Sequence, residues 1–271
     1  MILLPVINMW TGIDYLGEAN WPQRSAGCGC LDTCGFEKDA FYFYKSVWNQ
    51  KEKFAYLCPH WNLKLEKGTV LPVICYTNCE DAELFVNGRS FGMKSKGFPC
   101  YGMTERYGHF DRYRRPANTD DLFLSWDVPY EPGKIEVVGY HDGKEVCRYN
   151  VETTGEAASI KLTVDKTSVD ADGRSIVQAE VRIVDSEGRL VFNACPELDF
   201  TLEGDAKIIG IDNGDPACHE QWKETKGRHA FNGMAYAVIR AGQNKGELTL
   251  TVQASGVDAA IGKASVTISQ K

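Results

Sequence analysis

The sequence has no apolar run near the roughly 20 residues that cross a bilayer, so no transmembrane helix and no membrane partner are expected. It has no basic excess: 30 Lys and Arg stand against 37 Asp and Glu, a net charge of −7. That argues against a nucleic-acid partner, since phosphate backbones select basic surfaces. It lacks the paired Cys-x2-Cys spacing of zinc sites. Cys28, Cys30 and Cys34 run Cys-x-Cys-x3-Cys instead, a poor match, so no metal and no cofactor are expected. Ten cysteines in 271 residues are too sparse for a small disulfide scaffold. They read as small buried thiols that fill core gaps. Cys75 and Cys79, four apart in a strand pattern and so about 13 Å apart, cannot bridge each other. Met1–Ile7 is apolar but has neither a basic flank nor a small-residue cleavage site. It reads as a buried strand rather than a signal peptide, and a chain that opens inside a strand is expected to be part of something longer.

What is present is turn-forming and hydrophobic: 26 glycines, and 43% hydrophobic residues, which excludes disorder as a whole-chain reading. The length suggests about two domains. Residues 1–52 are aromatic-rich and contain one predicted helix over 39–48, with Phe41, Tyr44, Lys45 and Trp48 on one face at i, i+3, i+4, i+7. The irregular stretch before it is long enough to suggest a functional loop. From residue 53 the pattern turns to strands at 70–76, 82–86, 122–126, 135–140 and 145–149. Asn87-Gly88 and Asp142-Gly143 supply tight hairpin turns.

The short polar joint 153–158 marks a boundary, and a second strand set follows at 176–184, 198–202, 207–211, 235–241, 247–254 and 264–268. In the first of these Val177, Ala179, Val181 and Ile183 alternate with polar residues, as a half-buried antiparallel strand requires. The expected fold is mainly β. Two immunoglobulin-like sandwiches in tandem, 53–155 and 156–271, follow a distinct segment 1–52, and the second has no Cys–Trp–Cys core.

Trp10-Thr11-Gly12-Ile13-Asp14-Tyr15-Leu16-Gly17-Glu18 resembles a segment of family 2 glycoside hydrolases, the bacterial β-galactosidase group. So do Asn20–Ser25 and Gly35–Asp39. In that family the segment ends the eighth strand of a (β/α)8 barrel and leads to its last helix. The resemblance continues through His60–Asn62, Tyr76–Asn78, Glu83–Ser90 and Trp126–Gly133, then through Asp170–Gly173, Asp212–Pro216 and Phe231–Gly233. It departs from the family pattern where no Pro follows Glu18, and at Cys30 and Cys34. The resemblance implies that 1–52 is the end of a catalytic barrel. It also implies that the two catalytic Glu residues lie on earlier barrel strands, so catalytic residues within this chain number none.

Trp10 is the one substrate-binding candidate: the matching indole forms the floor of the family's sugar subsite, on the barrel face that carries active sites. Asp14 and Glu18 could be mistaken for a catalytic pair. Four residues apart on one strand-to-loop segment, they have no opposed geometry. Asp212-Asn213-Gly214-Asp215, with His219 and Glu220, reads as a turn more readily than as a cation or sugar site, and Asn232-Gly233 likewise. Residues 94–115 carry six basic against two acidic side chains, interleaved with Phe98, Tyr101, Tyr107, Phe110 and Tyr113. That composition suits either an acidic-glycan or protein contact or a loop folded on the core.

The expected function is the C-terminal accessory region of a retaining exo-β-glycosidase, a β-galactosidase, acting on terminal β-galactosides or related glycans in carbohydrate metabolism. The alternative is a non-catalytic carbohydrate-binding or protein-interaction module, for which Trp61, Trp126 and Trp222 would have to be exposed. A homo-oligomer is expected through the apolar surface of 1–50. The resemblance points to a periplasmic or extracellular location, with a cytoplasmic one as alternative.

Overall fold

The computed structural model describes residues 10–49, 51–95, 122–223 and 225–271, and the backbone of 105–106 and 113–114. The strand expected over 1–7 and most of the basic stretch 94–115 lie outside the described residues. Two short strands come first, β1 (Tyr15–Leu16) and β2 (Ser25–Ala26), paired antiparallel. The helix α1 (Asp39–Trp48) spans the predicted residues. Nine strands follow: β3 (Ala55–Cys58), β4 (Val70–Thr77), β5 (Asp81–Val86), β6 (Arg89–Ser95), β7 (Glu105–Arg106), β8 (Tyr113–Arg114), β9 (Leu124–Pro129), β10 (Lys134–His141) and β11 (Lys144–Glu152).

Residues 39–153 form one compact unit. Its sheets, ordered β11-β10-β5-β6 and β3-β4-β9, are antiparallel throughout. Alternation places Val73 and Cys75 of β4, Leu84 of β5, Trp126 and Val128 of β9 and Val137 of β10 in one buried cluster. Asn87 and Gly88 both have positive φ, as do Asp142 and Gly143; this is the backbone of the tight hairpin turns that each dipeptide predicts.

The helix docks on this sandwich by a face other than the predicted one. Tyr42 stacks on Tyr56 at 3.6 Å and 2°, Phe43 meets Tyr76 edge-on, and Ser46 is the buried residue. Trp48 remains exposed. The reason is size. Ser46 lets the backbone approach the sheet closely, while Tyr44 and Trp48 pack on each other along the helix, their rings 4.8 Å apart.

Residues 154–271 form the second sandwich, in one compact unit with the described residues 10–38. Its strands are β12 (Ser159–Val164), β13 (Ser168–Val169), β14 (Ile176–Val184), β15 (Glu197–Glu203), β16 (Ala206–Asp212), β17 (Gly227–His229), β18 (Met234–Ala241), β19 (Gly246–Ala254) and β20 (Lys263–Gln270). One sheet runs β12-β14-β18-β16 and the other β13-β20-β19-β15-β17, with β13 parallel to β20. Val181, Ile183, Phe200, Ile239, Leu250 and Ile268 are among the residues of its single buried core. The mainly β, two-sandwich fold thus matches expectation. Among the described residues no helix is long and apolar enough to cross a membrane.

Candidate functional site

The segment 10–38 is built around two buried carboxylates. Asp14 is 6% exposed; it accepts from Gly29 N at 2.7 Å and from Lys38 Nζ at 2.9 and 3.0 Å. A Cβ on Gly29 would lie 2.4 Å from the Asp14 backbone N, so only glycine fits there. Asp32 accepts from Cys34 N at 2.8 Å and Phe36 N at 2.9 Å. Burial pushes its pKa up against the lowering effect of those two bonds. Both acids therefore hold the loop together, and the ion pair with Lys38 accounts for Asp14.

Trp10 stands apart from this scaffold. It is 73% exposed, and its Nε1–H donates to Tyr15 Oη at 3.0 Å. The two rings meet edge to face at 83°. Tyr15 in turn donates to the Glu18 carboxylate, and this bond raises the Tyr15 pKa. The indole is thus held through Nε1 while most of its surface is exposed. Glu18 belongs to this support, whereas Asp14 points to Lys38, so the structure does not bring the two acids together.

Arg24, just before β2, reaches Asp212 at the end of β16 with two contacts, 2.7 and 2.9 Å. The fully buried Arg228 of β17 joins the same carboxylate at 2.9 Å, and Thr33 Oγ1 donates to it at 3.3 Å. Asn213 Nδ2 donates to His229 O at 2.9 Å, and Gly214 has φ +76°, where a Cβ would lie 2.0 Å from Asp32 Oδ2. Asp212 thus closes β16 as an ion-paired anchor, and residues 213–215 lead from it into a turn at 215–218, where Cys218 N donates to Asp215 O at 3.2 Å. Sequence reasoning did not single out Arg24 or Arg228, since nothing in strand alternation marks an arginine as buried.

His219 Nε2 lies 2.6 Å from Pro22 O and its ring stacks on the exposed Trp21 at 4.9 Å. Glu220 pairs with His229, and the contacts from His229 hold its carboxyl low despite burial, which alone would raise it.

Beside this ion-pair cluster lies a cleft of about 380 Å³, walled by Tyr15, Leu16, Trp222 and Tyr236, with Arg24 and Asp212 in its lining. Trp222 is 43% exposed. Trp61 and Trp126 are buried, donating from Nε1 to Glu131 O and Gly92 O. They are core residues of the first sandwich and cannot form a glycan-binding platform. Cys28 is exposed, Cys30 buried and Cys34 half-buried. Among the described residues the one cluster of three potential metal ligands is Glu80, His141 and Asp142. There Glu80 is already engaged by Asp142 N at 3.0 Å and His141 Nδ1 at 3.1 Å.

Residues 160–262 match the family described as glycoside hydrolase family 2 C-terminal domain 5, and residues 68–147 match a domain of unknown function, DUF4982. Among curated proteins the chain is similar to the β-galactosidase BoGH2A of Bacteroides ovatus, 36% identical over 95% of this chain and 28% of that protein. It is also similar to a putative β-glucuronidase of Formosa agariphila, 33% identical over 86% of this chain and 21% of that protein. The chain thus spans about a quarter of the length of these two curated relatives. Among solved structures, a β-glycosidase from Bacteroides vulgatus superposes with TM-score 0.79 at 32% identity, covering 96% of this chain and 30% of that one. A glycosyl hydrolase family 2 member from Bacteroides cellulosilyticus gives TM-score 0.83 at 27% identity, covering 97% and 35%.

Proposed function

The chain belongs to glycoside hydrolase family 2, and on that premise we propose that it is the C-terminal accessory region of a retaining exo-β-glycosidase, a β-galactosidase acting on terminal β-galactosides. In this reading the carboxylate pair, about 5–5.5 Å apart in retaining enzymes, comes from the rest of the longer protein. The sandwiches buttress that catalytic part and the segment 10–38 contributes to its sugar site. The observation that carries the reading is Trp10: an exposed indole, fixed through Nε1 by Tyr15, which Glu18 holds in turn, and so available for stacking on the apolar side of a pyranose ring. The similarity to a protein named β-galactosidase over 95% of this chain supports the choice of sugar.

The test uses nitrophenyl β-galactoside and nitrophenyl β-glucuronide. The 271-residue chain alone is expected to hydrolyse neither. A longer protein that carries it is expected to hydrolyse the galactoside, and Trp10→Ala in that protein should cut kcat/KM by about 100-fold, the order of a lost positioning contact. Turnover by the purified chain alone, or preference of the longer protein for the glucuronide, would refute the proposal as stated.

A further inference from the structure

Two thiols of the first sandwich lie against each other. Cys79 sits just before β5 and Cys147 lies on β11, the edge strand of the four-stranded sheet; their Sγ atoms are 3.5 Å apart. Between them runs β10, whose Gly139 is paired with Cys147 on one side and with Ala82 of β5 on the other. A Cβ at Gly139 would stand 2.6 Å from Cys147 Sγ and 2.7 Å from Cys79 Sγ. The two sulfurs therefore occupy the space that the absent side chain leaves. Glycine inside a strand weakens it and marks a close approach by other atoms; here those atoms are two sulfurs.

We propose that Cys79 and Cys147 are a redox-sensitive pair that closes to a disulfide when the protein meets a small-molecule disulfide such as oxidised glutathione. Closure ties the turn before β5 to the edge of the sheet. The sulfurs need to move from 3.5 Å to about 2.05 Å. The register shift between Gly139 and Tyr140 in the β10–β11 pairing lies next to Cys147, and β11 is an edge strand, so closure deforms a stretch that has a ladder on one side only.

Cys79 is 2% exposed and Cys147 half-buried, so Cys147 reacts first. Its thiolate attacks one sulfur of the oxidant, forming a mixed disulfide and releasing one small thiol. The thiolate of Cys79 then attacks Cys147 Sγ, the protein disulfide forms, and the second small thiol leaves. The two protein thiols lose two protons and two electrons, and one oxidant disulfide becomes two thiols. The contact with Cys79, followed by burial, pushes the Cys147 thiol well above its ordinary range, so the first attack is slow.

The experiment incubates the full chain with defined ratios of oxidised to reduced glutathione, alkylates remaining thiols and maps peptides by mass spectrometry. The expected result is a cross-linked Cys79–Cys147 peptide pair about 2 Da lighter than the two thiols. A rise in Tm on the order of 10 °C should accompany it and be reversed by dithiothreitol. Cys147→Ser should abolish both changes. Cys28→Ser with Cys195→Ser, removing two exposed thiols, should leave them intact. Gly139→Ala, which keeps both cysteines but fills their space, should slow closure at least about tenfold, since a displaced thiol loses its proximity advantage. Recovery of Cys79 and Cys147 as separately alkylated thiols, or of a glutathione adduct on Cys147 that never resolves, in protein that circular dichroism shows to be folded, would overturn the proposal.

Discussion

Single side chains here can be sorted by what their surroundings do to their charge. Asp185 is buried at the end of the β14 region. Its carboxylate accepts from Arg189 Nε at 2.9 Å and from the backbone N–H groups of Gly155, Glu187 and Arg189. Burial by itself would raise its pKa; the bonds from Arg189 and the backbone outweigh burial and hold the carboxyl far below the ordinary range. A carboxyl whose folded pKa is depressed adds stability that is fully present above its unfolded value, about 3.9, and is lost as pH falls through the folded value. Asp185→Asn is therefore expected to lower Tm clearly at pH 7, with the gap from the parent narrowing as the pH drops below about 4. A gap that stays constant from pH 7 to pH 3 would rule this out. The same sorting separates the cysteines. Burial raises Cys58 to about 12, while Cys28 and Cys195 are exposed. Iodoacetamide at pH 8 should label the latter two within the time that leaves Cys58 unmodified in the folded chain.

At the scale of elements, α1 shows both the reach and the limit of sequence patterns. Its extent was legible because Asp39 opens it and no breaker follows until Asn49. Its docking face was not, because Phe41, Tyr42, Phe43 and Tyr44 are aromatic in sequence, so a 3.6-residue period can be drawn through more than one set. What decides is the small Ser46 and the ring of Tyr56 waiting on β3. Tyr42→Ala is expected to cost about 2 kcal/mol, as loss of a stacked, half-buried ring should. Trp48→Ala, on the exposed side, should cost under about 0.5 kcal/mol. Urea unfolding of the two variants checks the order, and the reverse order would restore the face drawn from sequence. Strand positions were legible for a simpler reason: period-2 alternation marks the strands, and Asn-Gly and Asp-Gly mark where two hairpins reverse, although each of those hairpins carries a register shift that no pattern announces. The strands β3, β13 and β17, two to four residues long, escaped because so few positions carry no readable period; β6 escaped because its side chains are nearly all exposed, whereas β12 was missed although Ile160, Leu162 and Val164 alternate with polar residues.

At the scale of the molecule, the segment 10–38 and the second sandwich meet through residues that no local pattern connects. Arg24 and Asp212 are 188 positions apart yet make a two-contact ion pair, and Phe36 packs edge-on against Tyr236 at 6.0 Å. The candidate site was legible in the Trp10–Glu18 motif; its attachment to the sandwich was not, because a long-range salt bridge leaves no periodicity in a sequence. The hydrophobic core of the sandwich, however, is drawn wholly from 160–268. The consequence can be measured. A fragment of residues 156–271 should be soluble and unfold cooperatively in urea, since its core is complete. It should nonetheless be less stable than the same sandwich within the full chain, because Asp212 retains Arg228 but loses Arg24. With both partners of the lost pair largely buried, about 2 kcal/mol is expected, below the 3–5 kcal/mol of breaking a fully buried pair because the second arginine stays. Arg24→Ala in the full chain should bring the unfolding transition of the sandwich down by a similar amount while leaving that of residues 39–153 in place. Equal stability of the fragment and the intact sandwich, with no effect of Arg24→Ala, would mean that the ion pair is only a surface contact; failure of the fragment to unfold cooperatively would mean that the segment 10–38 is part of the folding unit itself.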